Sequence, residues 1–219
     1  MSKINVYYAT RSIFKKEEIE VIKTCCKFQD EDGRVRPVGD RFNFVFSDVR
    51  TDEPLEVDLV TMVRHKAVSA YKALLMPCIV EHAGLIFIEH RAVGYPGGLT
   101  QPMMDSLGAD DFVRRNRAGG ERAIARAVIG YCDGMSVQIF VGETEGTIAS
   151  EARGDRKFYW DTIFVPDDLG GDTYAEITQD PLRGVPTKMS VSQSYKALKQ
   201  FLEYRVNKGT NALFTDFDN

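Results

Sequence analysis

Apolar periodicity changes repeatedly along this chain, and the order of those changes constrains its fold more than any other feature. Ile4–Ala9 (INVYYA) is a short apolar run of strand length, the mark of a buried strand. Arg11–Ser12 follows as a turn, with Ser12 placed to cap a helix. In that helix Ile13, Ile19 and Ile22 share one face, and Lys15, Lys16, Glu17 and Glu18 fall in the early turns. Gln29–Gly39 is a polar turn region, and Arg41–Val49 alternates as a half-buried strand does. Leu55–Leu75 has helical period through Leu59, Met62, Val63, Ala70 and Leu74. Pro77–Glu81 and Leu85–Glu89 are two short apolar strands, Tyr95-Pro96-Gly97-Gly98 is a turn, and Gln101–Val113 is helical. After a basic loop, Arg114–Arg122, the runs Ala123–Tyr131 and Ser136–Val141 are strands joined at Cys132-Asp133-Gly134. Gly146–Glu151 continues the sheet. Val191–Val206 is a last helix with Tyr195, Leu198 and Leu202 on one face. Strand, helix, helix, many strands and helix predict an α/β fold with a mixed sheet.

The 219 residues suit one domain, or one domain with a lobe. A net charge of -4 predicts no broad basic face and argues against nucleic acid as the main partner, because phosphate backbones demand clustered Lys and Arg. Arg114, Arg115, Arg117 and Arg122 are a local cluster, read as a solvated loop or a partner surface. Cys25, Cys26, Cys78 and Cys132 form no CxxC pair and read as reduced core thiols of a cytoplasmic protein. No run approaches the roughly 18 apolar residues of a membrane span.

Lys157–Glu176 (KFYWDTIFVPDDLGGDTYAE) carries the most chemistry. Phe158 and Trp160 offer flat faces, and Asp161 is a fixed acceptor beside them. Bases stacked on such rings gain roughly 1–3 kcal/mol each. Taken alone, the same pattern also describes a buried strand with aromatic core residues.

Four separated segments set it in context. They are Thr10-Arg11-Ser12-Ile13-Phe14-Lys15; Val80-Glu81-His82-Ala83-Gly84-Leu85; Phe140 through Glu176, with Gly142, Gly146, Ile148 and Arg153-Gly154; and Lys188 through Ser194. This order resembles the HAM1 family of inosine triphosphate pyrophosphatases, which remove ITP, dITP and XTP. The resemblance implies an elongated mixed β-sheet with two lobes, flanked by helices, around a central nucleotide-binding cleft, with residues 1–219 forming a single two-lobed domain. It also implies a homodimer, and Mg²⁺-dependent hydrolysis of a purine nucleoside triphosphate to the monophosphate and pyrophosphate. Thr10, Ser12 and Lys15 then stand in the phosphate-binding turn, and Lys66 near the phosphates. Phe158, Trp160 and Asp161 enclose the base in the segment that Arg153 precedes, and Lys188 and Ser192 complete the site.

Departures from the family pattern are equally specific. Arg11 and Tyr159 replace glycines, and Thr162 a proline. Glu81 keeps one metal-binding carboxylate, but His82 stands where the family has a second. An imidazole can act as a base near neutral pH and is a poor Mg²⁺ ligand, because Mg²⁺ prefers hard oxygen donors. Thr61 occupies the position of a helix glutamate, leaving Asp58, one turn earlier, as the substitute metal ligand beside Glu81. The family's Ser-His-Arg becomes Ser192-Gln193-Ser194; Gln193 still donates to a carbonyl, but the positive charge is gone. Binding groups survive better than hydrolytic ones, which points to a nucleotide sensor or regulatory subunit for dITP or a similar purine (d)NTP. In that role the chain resembles the HAM1-like subunit of Kongming-type antiphage systems, whose effector is a separate SIR2-type NADase. The alternative is an active Mg²⁺-dependent pyrophosphatase using Glu81, His82 and Asp58. A scaffolding subunit without a nucleotide is the third reading.

Overall fold

The computed structural model describes residues 3–30, 32–155 and 159–208. The first strand, β1 (Ile4–Ala9), leads through Ser12 into α1 (Ile13–Cys25), and the Ser12 side chain accepts the Lys15 amide as an N-cap. Ile19 and Ile22 are buried; Ile13, expected on that face, is 63% exposed, because the first helical residue projects past the core into the cleft mouth. The expected polar turn over Gln29–Gly39 holds more structure than that. It contains a small hairpin, β2 (Lys27–Gln29) with β3 (Val35–Pro37), and a short helix, α2 (Val38–Arg41). Phe28 and Val38 anchor this unit in the core.

The half-buried strand is β4 (Phe42–Ser47), and α3 (Leu59–Leu74) follows, capped by Asp58. Leu55 lies outside this helix and is exposed. One strand, β5 (Cys78–Phe87), replaces the two short ones expected there. Gly84 lets it run through: a Cβ at that position would meet the Gly97 carbonyl oxygen at 2.1 Å, so the glycine marks a close backbone crossing, not a strand end. The helix expected over Gln101–Val113 is two, α4 (Thr100–Leu107) and α5 (Ala109–Asn116), divided at Gly108 with φ 74°.

Strands β6 (Arg122–Cys132) and β7 (Val137–Ile148) form a long antiparallel pair, so the expected break before Gly146 is absent. β8 (Phe164–Pro166), α6 (Tyr174–Gln179), α7 (Gly184–Val191) and α8 (Gln193–Lys208) complete the chain. The last helical region is therefore two helices meeting at Ser192. Leu198 and Leu202 are buried, and Tyr195 packs against the same core.

The main sheet has the order β4-β1-β5-β6-β7-β8. Its β4-β1 and β1-β5 pairs are parallel and the rest antiparallel, so the architecture is α/β on a mixed sheet flanked by helices. Helix α3 packs against one face, over Val80, Val128 and Cys132, while α1 and α8 cover the other, over Tyr8, Ile129 and Tyr131. α8 lies close to β7 because Gly142 has no side chain: a Cβ there would sit 2.0 Å from the Gln193 carbonyl oxygen. All four cysteines are free thiols, three of them buried; Cys25, expected in the core, is exposed at the end of α1. No helix among the described residues is long and apolar enough to cross a membrane.

Candidate active site

Sheet topology opens the site. β5 pairs with β1 only at Tyr8 and Ile79, so the edge of β5 beyond Ile79 faces a notch where the end of β1 turns into α1. Glu81 and His82 lie in that notch, and a cavity of about 570 Å³ runs through it between α1, α3 and the start of α8. Successive strand residues point to opposite faces. Glu81 accordingly turns toward α1 and α8, and His82 toward α3.

Glu81 is buried and fully engaged. The Tyr8 hydroxyl donates to Oε2 at 2.6 Å, and the Ser194 hydroxyl to Oε1 at 2.9 Å. Lys15 Nζ lies 3.6 Å from Oε1 and donates to the Glu81 carbonyl at 2.9 Å; Lys66 Nζ donates to the same carbonyl at 3.3 Å. Burial works against a charge on Glu81. Lys15, the Tyr8 and Ser194 hydroxyls and Lys66 outweigh it and hold the carboxyl below its ordinary pKa. The notch therefore carries an ionised carboxylate between two lysines. Beside it, Thr10 Oγ1 accepts the Ser12 amide and Ser12 Oγ the Lys15 amide, shaping the turn at the N-terminus of α1. Such a terminus, with its unpaired N–H groups, suits a phosphate.

Across the notch stands Glu53, a residue without a predicted role. Its carboxylate is 2.7 Å from Lys66 Nζ and 3.6 Å from His82 Nδ1. The His82 contact, followed by the Lys66 charge, overcomes partial burial and pulls the Glu53 carboxyl well below its usual range. Burial lowers the pKa of His82, with Lys66 and Lys15 adding to the effect against Glu53, so the imidazole is neutral near pH 7. His82 Nε2 is buried and has no hydrogen-bond partner among the described residues.

The far end of the cavity is aromatic and charged at once. Trp160 lines it, with Phe164 and Tyr174 behind. Lys188 is buried and reaches Asp161 at 2.5 Å and Glu18 at 2.9 Å, with the Tyr174 ring 5.4 Å away. Two carboxylates share one ammonium, so Lys188 stays protonated despite burial. Burial pushes Asp161 up to about 6 against the pull of Lys188. Asp161 Oδ1 has no partner among the described residues. Gln193 is buried at the start of α8, its Oε1 accepting from the Tyr174 hydroxyl at 3.2 Å.

The cavity thus collects Thr10, Ser12, Lys15, Lys66, Glu81, His82, Trp160, Lys188 and Gln193, with Asp161 held one contact behind Lys188. Asp58, Arg153 and Ser192 do not line it. Asp58 spends both oxygens capping α3, accepting from the Val60 and Thr61 amides and the Thr61 hydroxyl. Arg153 faces Gly171 and Glu176 at the start of α6. Ser192 is buried, accepting the Ser194 amide. Phe158 lies outside the described residues. Arg114, Arg115 and Arg122 pair with Asp111, Asp167 and Glu145, away from the cavity. Glu53, Glu18 and Tyr8 had no signal in periodicity or spacing, since each acts through a partner distant in sequence. Among the described residues, no group of three or more His, Cys, Asp or Glu side chains is arranged to hold a metal ion.

Residues 6–204 match the Ham1 family. The chain belongs to the Ham1 family. It is 37% identical over 139 residues to a dITP/XTP pyrophosphatase of Methanopyrus kandleri, covering 62% of this chain and 69% of the relative. An inosine triphosphate pyrophosphatase of Scheffersomyces stipitis is 32% identical over 192 residues, covering 86% and 92%. In fold, the Ham1 protein of Staphylococcus aureus superposes with a TM-score of 0.64 over 92% of this chain and all of that one, at 21% identity. The likeness in fold accounts for the mixed sheet and its flanking helices.

Proposed function

We propose that this chain is a pyrophosphatase that hydrolyses a deaminated purine nucleoside triphosphate, of the dITP, ITP or XTP kind, to the monophosphate and pyrophosphate. The observation that carries this reading is Glu81, kept ionised in the notch between Lys15 and Lys66 beside the phosphate-type turn at Ser12. Relatives named for this activity support it.

In this reading Lys15, Lys66 and the amides of the α1 N-terminus hold the phosphates, while Trp160 and Gln193 flank the base. Water attacks the α-phosphorus; the new P–O bond forms as the bond to the β-phosphate oxygen breaks and pyrophosphate leaves. His82, neutral near pH 7, is the group available to take the water's proton. Mg²⁺ commonly uses one or two carboxylates together with substrate phosphates instead of an all-protein cage, and Glu81 and Glu53 both line the cavity. Glu81 and Glu53 would hold it, Asp58 being occupied as a cap, and the ion supplies neutralisation of phosphate charge.

One observation favours a second reading. Both Glu81 oxygens are already engaged by Tyr8 and Ser194, and a carboxylate so saturated suits a receptor that binds without cutting. That receptor would be a nucleotide sensor acting on a partner, such as a separate SIR2-type NADase, in antiphage defence. Calorimetry and pyrophosphate release, measured together on dITP, ITP, XTP and dATP with Mg²⁺, separate the two. Turnover of the deaminated nucleotides is the expected result. Tight binding without pyrophosphate release would replace the enzyme with the sensor, and no binding would remove both.

A further inference from the structure

Glu53 rests on a stretch without regular structure between β4 and α3. That stretch is pinned at two points. At one, the Asp52 amide donates to Ser69 Oγ at 3.0 Å and the Ser69 hydroxyl returns a bond to Asp52 Oδ2 at 3.3 Å. At the other, the Val57 carbonyl accepts the Gly98 amide at 3.0 Å. Between the pins Leu55 is 79% exposed, and the Glu53 carboxylate reaches over the notch to Lys66.

Both lysines that face the notch are therefore already matched by carboxylates of the chain itself. The two carboxylates differ in kind. Glu81 is fixed in β5, buried and held by Tyr8 and Ser194. The Glu53 side chain is 41% exposed and is carried by a strap without regular structure. Burial alone would drive Lys66 toward its uncharged form, and Glu53 is among the groups that oppose this. A polyphosphate seated on the Ser12 turn and Lys15 competes with Glu53 for the Lys66 ammonium.

We propose that Glu53 is an internal anionic competitor, holding Lys66 in the free protein and released from it when a triphosphate enters, so that the strap around Glu53 and Leu55 shifts on binding. This rests on reading the cavity as a triphosphate site. The arrangement favours ligands with several phosphates, because a polyphosphate can hold the Ser12 turn and Lys15 with one phosphate while another competes with Glu53 for Lys66, and a monophosphate cannot do both.

The test is titration calorimetry with inorganic triphosphate in a metal chelator, so that neither hydrolysis nor metal ligation contributes. Wild type, Glu53→Gln and a control, Glu56→Gln, are compared. Glu56 lies on the same strap, and its side chain accepts the Asp58 amide. Glu53→Gln is expected to bind about five- to tenfold more tightly, as befits a partly exposed ion pair, with the control within about twofold of wild type. Unchanged or weaker binding by Glu53→Gln would overturn the proposal, as would a loss seen only when Mg²⁺ is restored, which would make Glu53 a metal ligand and nothing more. Binding by wild type with no Glu53 effect would leave the triphosphate site standing. No binding by any of the three would remove the site and the competitor together.

Discussion

Replacing Lys188 with methionine tests the charge arrangement at the Trp160 end of the cavity. The ammonium is buried and serves Asp161 at 2.5 Å and Glu18 at 2.9 Å. Methionine keeps much of the volume and removes the charge, leaving Asp161, buried and with one oxygen already unpartnered, beside a second carboxylate. Removing one partner of a buried ion pair costs about 3–5 kcal/mol, a large share of a typical total stability of about 5–15 kcal/mol. The loss depends on pH with a definite sign. Asp161 already sits at about 6, above its ordinary 3.8, so the folded state holds its proton more tightly than the unfolded chain and stability falls as pH rises between those values. Without Lys188 the folded pKa rises further and that fall extends to higher pH. Urea unfolding should therefore show the variant weakest near about pH 8 and partly recovered near about pH 5.5. Adding Asp161→Asn should restore stability at the higher pH, because the uncompensated charge is gone. A single variant that loses less than about 1 kcal/mol and shows no pH dependence would refute the reasoning, since such a value belongs to an exposed pair.

Three further outcomes follow from the geometry. Asp58→Ala removes the N-cap of α3 and should cost about 1 kcal/mol in thermal or urea unfolding, while leaving the Mg²⁺ dependence of turnover unchanged; a lost metal response would restore Asp58 as a ligand. Gly142→Val places a side chain where a Cβ alone would lie 2.0 Å from the Gln193 carbonyl oxygen, so α8 must move off β7. A loss of about 3 kcal/mol or more is expected in urea unfolding, at the upper end of overpacking effects. Glu81→Gln keeps the shape of the notch and removes its ionised carboxylate. Pyrophosphate release should fall by about a hundredfold or more, because in the proposed reading Glu81 would hold the ion that neutralises phosphate charge.

Elements whose signal is local are legible from neighbouring residues alone. A strand at Ile4–Ala9, the Ser12 cap and the apolar face of α3 are written in neighbouring residues, because burial repeats every two or 3.6 positions and a capping side chain bonds an amide two or three residues on. The Thr10–Lys15 turn and the Trp160-Asp161 pair could be singled out through the family resemblance, because their residue types and order stay together in the chain. Where one strand ended was less legible. The two strands expected at Pro77–Glu81 and Leu85–Glu89 are one, and its Gly84 is a crossing point with Gly97 that no local pattern reveals.

Which charges meet is fixed by the packed fold and not by any local pattern. Lys188 and Glu18 are 170 residues apart, and Ser194 reaches Glu81 across 113. Glu53 sits on a stretch with no period at all, while Asp58, which had the better spacing, spends its oxygens on the amides of its own helix. An ion pair depends on distance in space and on the water removed around it. Neither is set until β5 parts from β1 after Ile79 and α1, α3 and α8 close over the opening.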